Sequence, residues 1–143
     1  MTTFRRPESV LVIVATGEEV LMLRRRDPPD YWQSVTGSLE WGEGALAAAR
    51  RELREETGLF ADADLEDTGI VNEFEIVPPW TDKFAPGTKT NREYVYLLRL
   101  RERPDVKLDA CEHVEYRWLV PNNAAVLASS STNRDAILRL LKS

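Results

Sequence analysis

The apolar residues of the chain fall into short runs that are separated by turn-forming and charged segments. Residues 9–15 form a β-branched run and residues 20–23 form a second apolar run, with a Thr-Gly-Glu-Glu turn between them. This arrangement predicts two buried strands that pair as a hairpin. Similar runs, or alternation with a period of two, predict further strands at four places: residues 34–36, 68–77, 91–101 and 112–119.

Three other segments have helical character. Residues 44–57 are mostly strong helix formers, and they are followed by Gly58, the residue type expected just beyond a helix end. Residues 121–127 begin with proline, which suits the first turn of a short helix. Residues 132–141 carry isoleucine and leucine mostly on one side, so we expect a terminal helix that packs against the sheet.

The order of these elements predicts an α/β or α+β fold, with a mixed sheet between helices. The longest irregular stretch, residues 78–90, is rich in proline and glycine but also contains Trp80 and Phe84. Long loops inside compact domains are often functional. We therefore regard this segment as a candidate binding loop.

Composition narrows the class of protein. The 143 residues predict one domain over residues 1–143. Cys111 is the only cysteine, so an internal disulfide is excluded, and we expect this residue to be at least partly buried. Neither a signal-peptide pattern nor an apolar run of membrane-spanning length is seen, which predicts a soluble, cytoplasmic protein with no membrane partner. The net charge of −5 argues against nucleic-acid binding. Monomer and homodimer both remain open.

Residues 37–59 carry an unusual concentration of acidic groups, GSLEWGEGALAAARRELREETGL. Glu52 lies three and four residues before Glu55 and Glu56, so a helix gathers these carboxylates on one side. Like charges at this spacing destabilise a helix, and Arg51 alone cannot neutralise them. The pattern therefore predicts a bound cation. Ligands that are all oxygen suit Mg²⁺, with Mn²⁺ as the alternative.

The same segment resembles the Nudix box, the signature of a family of diphosphate hydrolases, which is written G-x5-E-x7-R-E-U-x-E-E-x-G-U with U a bulky apolar residue. Every specified position is filled: Gly37, Glu43, Arg51, Glu52, Leu53, Glu55, Glu56, Gly58 and Leu59. An exposed acidic helix face would not need the glycines and Arg51 in this register. The resemblance implies an α/β/α sandwich in which the box forms a loop, a helix and a loop.

The resemblance also implies a catalytic site that breaks a P–O–P bridge with the help of a divalent metal ion. The metal ligands would be three glutamate side chains and a backbone carbonyl: Glu52, Glu55, Glu56 and Gly37. Arg51 would orient a glutamate through a charge-assisted hydrogen bond, and Glu43 would hold the junction of loop and helix. Glu112 is a further candidate ligand outside the box. Its neighbour His113 could move a proton near neutral pH, although a structural role is favoured.

Segments outside the box resemble one subfamily, the bacterial dihydroneopterin triphosphate pyrophosphohydrolases of folate synthesis, formerly described as dATP pyrophosphohydrolases. The most distinctive of them is Trp-Gln-Ser-Val-Thr-Gly-Ser at residues 32–38. In that subfamily the glutamate that matches Glu112 is a metal ligand. The implied reaction converts a triphosphate into a monophosphate and pyrophosphate. The implied substrate contacts are Trp32 and an aromatic residue of the long loop for the ring, and three cations for the phosphates: Arg25, Arg26 and Lys89.

Two alternatives to this substrate remain. A general nucleoside triphosphate pyrophosphohydrolase, acting on dATP or on oxidised nucleotides, would use the same phosphate chemistry with a different ring pocket. Residues 78–83 and 94–98 depart from the subfamily, so the ring specificity stays open. A non-catalytic Nudix sensor that binds a nucleotide is disfavoured because the box is intact. The number of metal ions and the identity of the general base also stay open.

Overall fold

The structure is a computed structural model that describes residues 4–141, apart from the side chain of Asp62. It contains seven strands and three α-helices. The strands are β1 (Glu8–Ala15), β2 (Val20–Arg25), β3 (Trp32–Gln33), β4 (Val35–Ser38), β5 (Leu65–Glu75), β6 (Thr90–Arg99) and β7 (His113–Leu119). The helices are α1 (Ala45–Thr57), α2 (Pro121–Leu127) and α3 (Ser131–Leu140).

All seven strands belong to one mixed sheet. The path through the sheet is β3-β2-β1-β6-β5, with β4 also paired to β1 and β7 also paired to β2. Strands β1 and β2 are antiparallel neighbours, which confirms the predicted hairpin. Strand β1 is parallel to β6, and Val10 lies opposite Tyr94. Because β1 pairs with β2, β4 and β6, it is the central strand of the sheet.

Helices cover both faces of the sheet. The apolar run of β1 has no polar alternation because both of its faces are buried. On one face, Val10, Val12 and Val14 share a core with α1, to which the helix contributes Ala48, Ala49 and Leu53. On the other face, a second core joins the sheet to α2 and α3: Leu11, Ile13, Ala124, Ala125 and Ile137. The predicted α/β/α sandwich is thereby confirmed.

Helix α1 follows the limits that the sequence predicts. Gly44 precedes it, and Gly58 ends it with a φ of 75°, a left-handed conformation that glycine adopts without strain. The N–H of Gly58 donates to the carbonyl of Arg54 at 2.9 Å. This fixed end holds the last turn of the helix, where Glu55 and Glu56 lie.

Several sequence expectations need adjustment. Strand β5 begins three residues earlier than predicted, at Leu65, and Trp32 and Gln33 form a short strand of their own. The long loop contains one 3-10 turn, Thr81–Lys83. Cys111, which was expected to be at least partly buried, is exposed. No helix within residues 4–141 is long and apolar enough to span a membrane.

Candidate active site

A cavity of about 760 Å³ lies where α1 meets β4, the long loop between β5 and β6, and the start of α3. Four acidic side chains that the sequence singled out line this cavity: Glu52, Glu55, Glu56 and Glu112. Gly37 of β4 lines it too, and a methyl group in place of its hydrogen would overlap the carboxyl group of Glu52. Glycine is therefore required where the backbone of β4 approaches the acidic side of the helix.

Arg51 is the centre of an ion-pair network that ties α1 to the loop before it. Its Nε and Nη2 donate to the two carboxylate oxygens of Glu43, each at 2.9 Å, and Nη2 also donates to the carbonyl of Ser38 at 3.1 Å. Its Nη1 donates to Glu52 at 2.8 Å and to Glu55 at 3.4 Å. The hydrogen bonds from Arg51 lower the pKa of Glu43, so Glu43 is a fixed anion.

Glu56 has very different surroundings, although it belongs to the same helix. Only 4% of it is exposed, and the N–H of Thr36 donates to its Oε1 at 3.4 Å. Burial raises the pKa of Glu56 well above its usual range, and a hydrogen bond to the carboxyl group of Glu52 raises it further. Of the lysines and arginines in the described part of the chain, none forms an ion pair with Glu56. The described residues therefore supply no counter-ion for this buried acid.

His113 contacts Glu56 but does not neutralise it. The side chain is 1% exposed, and its Nε2 lies 3.9 Å from Oε1 of Glu56 and 3.1 Å from Nε2 of Gln33. Burial lowers the pKa of His113 to about 4, and the charge of Arg25 contributes. The ring is therefore neutral at pH 7, and its Nε2 accepts from the Gln33 amide. This arrangement fits a structural role better than proton transfer near neutral pH.

Another part of the cavity wall is aromatic and apolar: Tyr31, Phe74, Ile76, Trp80 and Phe84. The rings of Tyr31 and Trp80 meet edge to face, with centroids 5.8 Å apart and an angle of 74° between the planes. The guanidinium carbon of Arg25 lies 4.9 Å from the centroid of the Trp80 ring. Aromatic walls beside a cation suit a flat ring that carries anionic phosphates.

Comparison with protein families decides the class. The NUDIX domain family matches residues 5–141, almost the full length of the chain. The chain belongs to the Nudix family. The family, the fold and the prediction of a Nudix hydrolase that acts on a phosphorylated small molecule are therefore confirmed.

Individual relatives agree with this assignment. The dihydroneopterin triphosphate diphosphatase of Escherichia coli (strain K12) is 42% identical over 139 residues, which cover 94% of this chain and 91% of that protein. The protein of the same name from Haemophilus influenzae is 34% identical, over 99% of this chain and 91% of its own length. The solved structure of the E. coli dihydroneopterin triphosphate pyrophosphohydrolase has a TM-score of 0.90 to this one, at 40% identity and with 98% of each chain covered.

Nudix hydrolases use divalent metal ions, and the acidic wall of the cavity fits such an ion. Its side-chain donors are all oxygens, which hard divalent cations prefer. In addition, burial and the neighbouring carboxyl group of Glu52 raise the pKa of Glu56, so a cation bound beside Glu56 would favour its ionised form. Within residues 4–141, no three acidic, imidazole or thiol groups already converge on one point. The glutamates would therefore have to reorient around the ion.

Trp32 lies outside the cavity, in disagreement with the predicted ring contact. Successive residues of a strand point to opposite faces of the sheet, so Trp32 points away from the side that Tyr31 and Gln33 line. Its ring is buried in the core beneath α2 and α3, and the guanidinium carbon of Arg117 lies 4.8 Å from its centroid. The neighbouring Tyr31 is the aromatic residue that faces the cavity.

The cations predicted to hold phosphates are divided in a similar way. Arg25 lines the cavity. Arg26 instead donates from Nη1 to the carbonyl of Ala110, at 3.2 Å, on the surface. Lys89 is exposed and does not line the cavity. Of the three predicted phosphate contacts, Arg25 is therefore the one that lines the cavity.

The buried polar residues that line the cavity and that sequence reasoning missed include Asn91, Glu93 and Asn133. The side chain of Asn133 accepts from the N–H of Ser34 at 2.8 Å and donates to its hydroxyl at 2.9 Å, which joins α3 to the segment before β4. Asn91 and Glu93 lie on one face of β6, on which Val95 and Leu97 follow as core residues. Polar residues in phase with a buried face were the signal available in the sequence.

Proposed function

We propose that this Nudix hydrolase converts dihydroneopterin triphosphate and water into dihydroneopterin monophosphate and pyrophosphate, with Mg²⁺ as its metal ion and Mn²⁺ as a substitute. The observation that carries the proposal is that the acidic groups of the box and an aromatic wall line one cavity. The sequence and fold similarity to dihydroneopterin triphosphate diphosphatases over almost the whole chain supports the choice of substrate.

In this proposal the backbone carbonyl of Gly37 and four carboxylates on the acidic wall of the cavity would hold the ion. The carboxylates are those of Glu52, Glu55, Glu56 and Glu112. Arg51 holds Glu52 in place through its 2.8 Å hydrogen bond, while the pairing with Glu43 fixes the guanidinium itself. When bound, the metal ion neutralises charge on the phosphate oxygens and lowers the pKa of water.

The remaining residues bind the substrate and exclude solvent. The guanidinium of Arg25 is placed to hold a phosphate beside the aromatic wall. Tyr31 and Trp80 would pack against the ring. Burial raises the pKa of Glu55 as well as that of Glu56, and both are candidates for accepting the proton of the attacking water.

The test is turnover of a substrate panel with Mg²⁺: dihydroneopterin triphosphate, the four dNTPs and the four NTPs, scored for pyrophosphate against phosphate. We expect pyrophosphate to be released and kcat/KM to be highest for the pterin. Release of phosphate alone would contradict attack between the α and β phosphates. A flat profile, or one that favours dATP, would contradict the substrate while keeping the reaction. If none of the compounds is turned over, the assignment of the protein as a triphosphate pyrophosphohydrolase would be contradicted.

A further inference from the structure

Glu93 is an acid in the cavity that the proposed phosphate chemistry does not use. It lies on β6 and is 5% exposed. Burial raises the pKa of Glu93, and hydrogen bonds from Thr132 and Asn72 oppose that change. The described residues include no lysine or arginine that forms an ion pair with it. A carboxyl group in such surroundings is rarely retained without a partner that it binds.

Glu93 has unused capacity to accept hydrogen bonds. The Nδ2 of Asn72 donates to its Oε1 at 3.2 Å, and the hydroxyl of Thr132 donates to the carboxylate as well. An ionised carboxylate offers about four lone-pair positions, so about two remain available. Because Glu93 lines the cavity, a ligand can reach them.

The neighbouring residue on the same face of β6 has a similar unused acceptor. Asn91 is 4% exposed and donates from Nδ2 to the hydroxyl of Ser9 at 2.7 Å. Its Oδ1 is buried and has no hydrogen-bond partner among the residues that the structure describes. Buried polar atoms are normally paired, so an unpaired acceptor in a cavity wall indicates a place for a donor.

These acceptors lie near the aromatic part of the wall. Burial raises the pKa of the Tyr31 phenol. The positive charge of Arg25 lowers this pKa, and the negative charge of Glu93 raises it. Phe74, which belongs to the aromatic wall, lies directly opposite Asn91 in the pairing of β5 with β6, so the two side chains share one face of the sheet. The acceptors therefore face the space assigned to the ring, whereas the metal-binding carboxylates come from α1 and from Glu112.

We propose that Glu93 selects the ring of the substrate by accepting two hydrogen bonds from adjacent N–H and NH₂ donors, with Asn91 as a further acceptor. Such a donor pair is the edge of a 2-amino-4-oxopyrimidine ring, which pterins and guanine share. Adenine presents a ring nitrogen acceptor at the equivalent edge, so a carboxylate repels it. This inference rests on the proposed function for the identity of the substrate, but it assigns the selection to one residue and one chemical edge.

Its test measures the binding of dGMP and dAMP, which requires no turnover. The variants are Glu93→Gln and, as a matched control, Glu73→Gln, whose side chain is exposed and paired with Arg92. We expect Glu93→Gln to weaken dGMP by about ten- to a hundredfold, because it removes hydrogen bonds to a charged group. Binding of dAMP should remain the same or improve, and Glu73→Gln should change neither.

A modified ligand tests the same contact in the unmodified protein, in case Glu93→Gln does not fold. The 1-methyl derivative of GMP lacks one of the two donors, so we expect it to bind at least about tenfold more weakly than GMP. In folded Glu93→Gln this difference should disappear. Equal losses of dGMP and dAMP, or full binding of the methylated ligand, would overturn the assignment of Glu93.

The two proposals can fail separately. If the enzyme prefers dihydroneopterin triphosphate while Glu93→Gln leaves dGMP binding unchanged, the inference about Glu93 is wrong and the proposed function stands. If no triphosphate is hydrolysed but Glu93→Gln selectively weakens dGMP, the proposed function is wrong and the ring contact stands.

Discussion

Two groups of carboxylates from the same box have opposite electrostatic surroundings. Glu43 receives two hydrogen bonds of 2.9 Å from Arg51, and these lower its pKa. Glu56 is more deeply buried and is hydrogen-bonded to another acid, and the histidine beside it is neutral, so its pKa is raised. Glu52 belongs to both groups, since Arg51 donates to it and its carboxyl group bonds to that of Glu56.

This difference separates a structural task from a catalytic one. A paired carboxylate at the junction of loop and helix stabilises the fold whether or not a ligand is present. A buried acid without a counter-ion destabilises the metal-free protein, and such a residue is retained where a cation binds. The comparison therefore predicts that mutations in the two groups will affect different properties.

The largest effect on activity is expected from replacing Glu56, the buried acid without a counter-ion among the described residues. Glu56→Gln should lower kcat with Mg²⁺ by about a hundredfold or more, because a neutral amide is a poor ligand for a hard cation. The protein should remain folded, since the amide oxygen can still accept from Thr36. Steady-state kinetics should be compared with Glu66→Gln, since the side chain of Glu66 is exposed on β5 and its replacement should keep wild-type activity. Near-wild-type turnover of Glu56→Gln would contradict the catalytic role that the comparison assigns to Glu56.

Replacement of Arg51, the cation that pairs with Glu43, should mainly affect the stability of the fold. Arg51→Leu leaves Glu43 unpaired in a partly buried place, so we expect a loss of about 2–3 kcal/mol in the free energy of unfolding. Urea denaturation measures this change. Glu40→Gln is the control, because Glu40 is mostly exposed and lies 3.3 Å from Arg51, so its loss should stay below about 0.5 kcal/mol. Equal effects of the two variants would contradict the structural role of Arg51.

The comparison also requires His113 to be uncharged, since a protonated ring would neutralise Glu56. His113 is the only histidine, so its pKa can be read from a single set of NMR resonances. We expect a pKa of about 4, below the usual 6.5. The unfolded chain then binds more protons between these values, so this residue makes stability fall as the pH decreases from about 6.5 to about 4. A measured pKa of His113 above 6 would show that a protonated His113 can neutralise Glu56.

The elements whose patterns are local were predictable from sequence. The limits of α1 follow from its helix formers and from Gly58, and the hairpin of β1 and β2 follows from two apolar runs around a turn. The spacing of Glu52 and Glu56 likewise predicted that their carboxylates would meet. In each case the decisive contacts lie within a few residues of one another in the chain.

The rest depended on contacts between distant segments. Which of Tyr31 and Trp32 faces the cavity is set by the register of a two-residue strand, which composition does not determine. Lys89 lies at the end of a long loop, whose path depends on packing against the sheet. Glu93 reads as part of a core strand until α3 and Asn72 are placed beside it.

The most direct test of the account is thermal unfolding of Glu56→Gln and wild type at pH 8, first with a chelator and then with Mg²⁺. The pKa of Glu56 is raised in the folded protein, so the wild type loses stability as the pH rises through that pKa and Glu56 ionises. The variant has no such charge to bury, so without metal it should melt higher than wild type, by roughly 3–5 °C. Mg²⁺ should then stabilise wild type and have little effect on the variant. A variant that melts lower without metal, and still gains the wild-type shift with Mg²⁺, would contradict the claim that Glu56 is an uncompensated acid kept for a cation.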